Sequence, residues 1–210
     1  MKKALVIGGT GLIGSSLIEL LLADGRYAVI SLVRKKSALN NNQLTEVVFN
    51  FDNPDRRLVV ADEVFCCLGT TIKTAGSKDA FYKVDHDYVV ETAQLAQTNG
   101  AKKFAMVSSM GANKNATFFY SKVKGITEEA VSNISYESIF IFRPSLLLGQ
   151  RKEFRFGELV SKVLMTVFSF AIPKKYKAIQ ARQVAKAMIA SMNTGQTGVH
   201  VIESDRIATT

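Results

Sequence analysis

Lys3-Ala4-Leu5-Val6-Ile7-Gly8-Gly9-Thr10-Gly11-Leu12-Ile13-Gly14 opens the chain almost from its first residue and decides its fold class. A short apolar run passes directly into three spaced glycines. Leu17, Ile18, Leu20 and Leu21 follow at helical spacing, so the segment reads as strand, tight turn and helix. Each glycine has a physical use in that arrangement. Gly8 permits the turn, Gly11 lets the backbone approach a pyrophosphate, and Gly14 lets the helix pack closely on the strand. Phosphates then rest on the helix N-terminus, where free N–H groups and the helix dipole attract anions.

The rest of the chain repeats this alternation. Strands are predicted at 3–7, 28–33, 46–51, 63–68, 103–109, 138–143 and 198–202, and helices at 12–24, 78–99, 118–133, 156–170 and 180–193. Strands that are apolar on both faces and separated by helices imply a parallel sheet covered on both sides. No linker, low-complexity tract or repeat interrupts the pattern. The expectation is one doubly wound α/β domain over 1–210, with a small substrate-side lobe at 150–177.

The carboxyl ends of the predicted strands carry the chemistry, as open parallel sheets require. A dinucleotide site that takes NAD places Asp or Glu after the second strand, whereas a 2′-phosphate needs cations there. This chain has Arg34-Lys35-Lys36 after Leu32-Val33, and a guanidinium both stacks on adenine and forks onto phosphate. The expected cofactor is therefore NADP(H). Asp52, at the end of the third strand, is placed to accept from the adenine amino group, and Leu68-Gly69 ends the fourth, where a small residue lets the cofactor pass.

Tyr120-Ser121-Lys122-Val123-Lys124 begins a predicted helix, which puts Tyr120 and Lys124 one turn apart on one face. A phenol works as acid or base near neutral pH when a nearby ammonium lowers its value from about 10. Ser108-Ser109 closes the strand before and offers a hydroxyl to hold a substrate oxygen, strand phase deciding which of the two faces it. Ser109, Tyr120 and Lys124 are the candidate catalytic set.

Together these segments resemble the short-chain dehydrogenase/reductase superfamily. More narrowly, nearly the whole length is similar to its Tat-interacting-protein-like branch. The likeness rests on Phe65-Cys66-Cys67-Leu68-Gly69-Thr70-Thr71, Lys83-Val84-Asp85-His86-Asp87-Tyr88-Val89 and Val107-Ser108-Ser109-Met110-Gly111-Ala112. It continues through Tyr120-Ser121-Lys122-Val123-Lys124-Gly125 and Phe142-Arg143-Pro144-Ser145-Leu146-Leu147-Leu148-Gly149. The resemblance implies a Rossmann fold with Thr10, Gly11, Leu12 and Ile13 at the pyrophosphate and Arg34 and Lys35 at the 2′-phosphate. It implies Leu68 and Gly69 near the nicotinamide-side ribose, Lys124 on ribose hydroxyls, Leu147 in the nicotinamide pocket and Arg155 at a phosphate or the substrate. Tyr120 becomes the proton donor and acceptor, with Ser109 its partner. Where most of the superfamily holds a proton-relaying water with asparagine, this chain has Asp85, which favours a charged Lys124.

Composition sets the remaining bounds. The chain has 210 residues, 47% of them hydrophobic, with a net charge of +9, enough for a sizeable core without disulfides or structural metal. The basic balance admits a phosphate-bearing ligand. No basic run exceeds three residues and no zinc-finger or RNA-binding signature occurs, so nucleic acid is not the expected primary partner. Cys66 and Cys67, adjacent and alone, point to a reducing, cytoplasmic setting. With two histidines, a His/Cys metal site is not expected. The apolar stretch 159–173, followed by Lys174-Lys175, fits a helix roofing an apolar pocket, an interfacial membrane helix or a dimer face; it is too short to span a bilayer. The expected substrate is an apolar carbonyl or alcohol; the alternative is a cofactor-binding regulator with little turnover. Oligomeric state is left open.

Overall fold

The computed structural model describes residues 1–36, 41–148, 173 and 176–209. Arg155, the predicted helix 156–170, the apolar stretch 159–172 and most of the expected 150–177 lobe lie outside the described residues.

Seven strands form one sheet: β1 (Lys2–Ile7), β2 (Tyr27–Val33), β3 (Leu44–Val48), β4 (Glu63–Cys66), β5 (Lys103–Val107), β6 (Ser138–Arg143) and β9 (Gly198–Glu203). Their spatial order is β3-β2-β1-β4-β5-β6-β9, and every pairing is parallel. The chain winds outward from β1 in one direction, then returns to β4 and winds outward in the other. A reversal of this kind opens a crevice between the carboxyl ends of β1 and β4, the place where Rossmann-type sheets bind ligands. Two further strands, β7 (Leu147–Leu148) and β8 (Ile179–Gln180), pair with each other beside the main sheet; two residues are too few to show a period in the sequence.

Both faces of the sheet are covered because alternate strand residues are apolar on both sides. Ala4, Val6, Phe65, Ala105 and Phe140 pack against α1 (Leu12–Asp24) and the helix Ala181–Met192. Leu5, Ile7, Val64, Phe104 and Ile139 pack on the opposite side, against Val89, Ala93 and Ala96 of the helix Tyr88–Thr98 and Val131 of the helix Phe119–Ser132. In chain order the helices are α1, α2 (Ile72–Ala75), α3 (Lys78–Tyr82), α4 (Tyr88–Thr98), α5 (Phe119–Ser132), α6 (Ala181–Met192) and α7 (Ser204–Ile207). A π-helical turn, Lys83–Asp87, joins α3 to α4, where a single helix was expected.

One strand expectation is corrected. The third strand covers 44–48 rather than 46–51. Phe49 still donates its N–H to the Val33 carbonyl at 2.9 Å, but the chain then turns. Asn50 Oδ1 accepts from the Asp52 N–H at 3.0 Å. Phe49 and Phe51 are buried beside α4, their rings 4.9 Å apart, so apolar alternation outlasts the strand. Asp52 consequently sits in a turn beyond β3.

Candidate active site

The glycine loop joins β1 to α1. Gly8 has φ +78°, a region that favours glycine, and a Cβ there would lie 2.6 Å from the Cys67 carbonyl oxygen. A Cβ on Gly14 would lie 2.2 Å from the Gly8 oxygen. Both are therefore demanded by the fold itself. Gly11 differs: its extended backbone (φ −78°, ψ 172°) suits any residue, and a Cβ would meet only the Gly8 oxygen, at 3.2 Å. Gly11 is also the N-cap of α1, and no side chain caps the free N–H groups of that helix. The turn thus leaves room and unshielded donors together, the combination an anionic diphosphate needs.

Arg34, Lys35 and Lys36 directly follow β2 and are all exposed. Register sets Leu32 level with Ile7 and with Val47, so the basic triplet leaves the sheet at the same edge as the glycine loop. Asp52 is reached by donors from the chain itself: Tyr88 donates its hydroxyl to Oδ1 at 2.6 Å, and the Lys83 ammonium pairs with the same oxygen. These contacts hold its carboxyl below the usual carboxylate range, Lys83 being the larger cause.

Beyond β4, Leu68-Gly69-Thr70 runs over the buried end of Lys124. Lys124 Nζ lies 2.7 Å from Asp85 Oδ1, with the lysine side chain 6% and the aspartate side chain 0% exposed. Asp85 Oδ2 accepts from the Thr70 N–H at 2.8 Å, and Thr127 Oγ1 lies 2.9 Å from both the Asp85 and the Val123 carbonyl oxygens, sharing its one proton between them. A Cβ on Gly69 would stand 3.3 Å from Asp85 Oδ1 and 3.5 Å from Lys124 Nζ. Burial disfavours the charged lysine, but the Asp85 carboxylate and the Tyr120 phenol outweigh it and the Lys124 value rises above ordinary.

Tyr120 lies one turn before Lys124 in α5, its side chain partly exposed and its ring 5.5 Å from that of buried Phe81. Ser108 and Ser109 follow β5. The Ser108 N–H donates to the Phe142 carbonyl at 2.7 Å, continuing the ladder past the strand end. The Ser108 and Ser109 hydroxyls are both buried without a hydrogen-bond partner among the described residues, and an orphaned buried hydroxyl normally has a ligand or water to satisfy it. Leu147 is half-buried in β7, next to the undescribed 149–172.

The open space at Gly11 and the uncapped N–H groups of α1 fit a nicotinamide dinucleotide laid across this edge. Asp85 contacting Lys124 directly, Thr70 and Thr127 fixing Asp85, and Phe81 packing on Tyr120 were not legible as contacts, because each joins residues from separate elements. A cleft of about 790 Å³ opens at the opposite edge, among the amino ends of the strands near Lys2, Tyr27, Glu63 and Lys103. Its cations are already engaged, Lys2 by Glu63 at 2.7 Å and Lys103 by the Met192 carbonyl at 2.6 Å, and none of the candidate catalytic residues lies there.

Residues 8–136 match the family model described as NAD(P)H-binding. The chain belongs to that family. It is 32% identical over 199 residues to rat (Rattus norvegicus) Protein HTATIP2, covering 91% of this chain and 80% of that protein. It is 35% identical over 154 residues to Protein FMP52, mitochondrial, of Kluyveromyces lactis, covering 71% and 69% of the two chains. These relatives make it an atypical short-chain dehydrogenase/reductase. MoeE5 in complex with UDP-glucuronic acid and NAD shares the fold of this short-chain dehydrogenase/reductase, with a TM-score of 0.77 at 15% identity over 96% of this chain and 76% of that one. Among the described residues no cluster of His, Cys, Asp and Glu could hold a metal ion, and no helix is long and apolar enough to cross a membrane.

Proposed function

We propose that this chain is an NADPH-dependent oxidoreductase that exchanges hydride with an apolar carbonyl or alcohol, using Tyr120 as the acid and base. The observation that carries the reading is the Lys124 ammonium, buried at the Gly69 turn with Tyr120 one helical turn away. When bound, the nicotinamide supplies or accepts the hydride. Gly11 and the uncapped start of α1 hold the pyrophosphate, and Arg34 with Lys35 takes the 2′-phosphate. Lys124 holds ribose hydroxyls. Ser109 Oγ donates to the substrate oxygen, and Tyr120 Oη gives that oxygen its proton in reduction or removes it in oxidation. The two thiols, at adjacent Cys66 and Cys67, suit a reducing compartment.

The direct Asp85–Lys124 contact also suits a second reading, a cofactor-loaded regulator that binds NADP(H) and turns over little. Incubation with NADPH carrying deuterium at the transferable C4 position, against a panel of apolar aldehydes and ketones, separates the two. Deuterium on the carbinol carbon of a product supports the oxidoreductase. Tight NADPH binding with no deuterium transferred across the panel supports the regulator.

A further inference from the structure

We propose that the cleft at the amino ends of the strands is a second binding site, fitted to a nucleoside monophosphate: a neutral N–H donor of the base reaches Glu63 Oε2 at its floor, and the phosphate meets the cations at its mouth. The length of β1, about 20 Å for six residues, separates this site from the glycine loop, so it does not rest on the oxidoreductase reading.

Strand alternation builds the floor. Ala4, Val29, Phe65 and Ala105 face α1 and α6, so Lys2, Tyr27, Glu63 and Lys103, each two residues earlier in its strand, share that face. Register sets Lys2 level with Tyr27 and Glu63 level with Lys103. Both helices end at this rim, and Arg26 and Asn193, just past them, line the cleft. Its volume of about 790 Å³ falls within the roughly 300–1,000 Å³ of small-molecule pockets.

Glu63 marks where a ligand enters. Its side chain is 4% exposed, and Oε1 takes the Lys2 ammonium at 2.7 Å. Oε2 is buried with no hydrogen-bond partner among the described residues, and a buried carboxylate oxygen left without a donor is costly. Neighbouring donors are engaged elsewhere. Lys103 Nζ donates to the Met192 carbonyl at 2.6 Å, and the Tyr27 hydroxyl pairs with the Asn193 amide, whose Nδ2 donates to it at 3.0 Å.

Charge selects the kind of ligand. Lys2, Arg26, Lys102 and Lys103 line the cleft against Asp62 and Glu63, so the excess is positive and a cationic ligand group would be repelled. A neutral donor suits Oε2, and an anion suits the mouth. There Lys102 pairs with Glu137 at 3.1 Å, both side chains more than half exposed, and such pairs contribute little. Arg26 forks onto Asp24 through Nε and Nη2, a fork that does not use Nη1. Both cations therefore have donors to give to a phosphate. The aliphatic stems of Lys2, Lys102 and Lys103 supply apolar wall for a flat base. A nucleoside monophosphate joins donor, apolar body and anion in one small molecule.

The test is a nitrogen-15 NMR titration of the full chain carrying Gly11→Val, which closes the dinucleotide edge, with AMP, GMP, CMP and UMP. At least one is expected to shift the backbone amides of Lys2, Glu63 and Lys103 saturably. Glu63→Gln should weaken that binding about tenfold to a hundredfold, as for a lost charge-assisted bond, and Lys102→Ala about twofold to fivefold. Removing the phosphate of the nucleotide that binds, or methylating the donor nitrogen of its base, should weaken it as well. No shift at these amides with any of the four nucleotides overturns the proposal and leaves Glu63 Oε2 to water. Binding indifferent to the loss of either the phosphate or the base N–H overturns it too. If Glu63→Gln does not fold, Lys102→Ala and the altered nucleotides decide alone. Failure of wild type to bind NADPH would sink the oxidoreductase reading, while the amide shifts still decide the amino-end cleft.

Discussion

Lys124 Nζ and Asp85 Oδ1 stand 2.7 Å apart at the end of a sheet crevice, both side chains almost wholly buried. An ion pair this deep costs much of its Coulomb gain in lost hydration, so it is weak evidence for stability. Breaking it from one side is another matter, because the remaining charge is left without compensation. Asp85→Ala should lower unfolding free energy by about 3–5 kcal/mol at pH 7.

The pH dependence of that loss has a defined sign. The folded-state value of Lys124 is raised, so its contribution is fully present below the unfolded value and is lost as pH rises through the folded one. The stability gap between wild type and Asp85→Ala in urea titrations should be largest at acid to neutral pH and shrink as pH rises, first through the lowered value of the unpaired lysine in the variant and then through its raised value in wild type. A gap that widens with alkalinity would contradict the pairing.

The glycine loop separates a binding role from a packing role. Gly14→Ala forces a Cβ to within 2.2 Å of the Gly8 oxygen, which should cost about 1–3 kcal/mol or more in stability. Gly11→Val has backbone angles that valine accepts and should melt near wild type while losing NADPH binding, since the side chain fills the diphosphate's place. Thermal melts and calorimetry on the two variants check both halves. A folded Gly11→Val protein that binds NADPH normally would make the loop structural only.

Much of this loop was legible in the sequence because its logic is local. Strand, turn and α1 follow one another within 24 residues, and the predicted and observed α1 share both ends. Phe49 and Phe51 misled for a physical reason: they are buried by packing beside α4 rather than by lying in a strand, and alternation cannot tell the two apart. That Asp85 favours a charged Lys124 was implied by the family resemblance, but their direct contact was not legible, because the residues lie 39 positions apart and meet only through the π-turn and the Gly69 loop. The candidate triplet Ser109, Tyr120 and Lys124 was chosen as residue types at strand and helix ends, while the orphaned state of the Ser108 and Ser109 hydroxyls needed the packed structure.

The proposed preference for NADP(H) rests on Arg34 and Lys35. Arg34→Ala should weaken NADPH binding about ten- to a hundredfold, as for loss of one charge-assisted phosphate contact, and weaken NADH binding less, through the lost stacking on adenine alone. Calorimetric titration of both cofactors into both proteins reads this directly. Equal dissociation constants for NADPH and NADH in wild type would remove the basis for the 2′-phosphate site.

The adjacent thiols should be quiet in the folded protein. Burial pushes Cys66 up to about 11 and moves Cys67 the same way, and the thiolate is the reactive form. Iodoacetamide at pH 8, followed by mass, should label neither cysteine over times at which unfolded protein is labelled fully.

The most direct measurement of the central claim is the rate of deuteride transfer from bound, C4-deuterated NADPH to a working carbonyl substrate, compared under single-turnover conditions between wild type and Tyr120→Phe. Phenylalanine keeps the ring against Phe81 and removes the proton carrier. NADPH affinity should be nearly unchanged and the transfer slowed by roughly 10²–10⁴. Transfer by Tyr120→Phe at the wild-type rate would contradict the account.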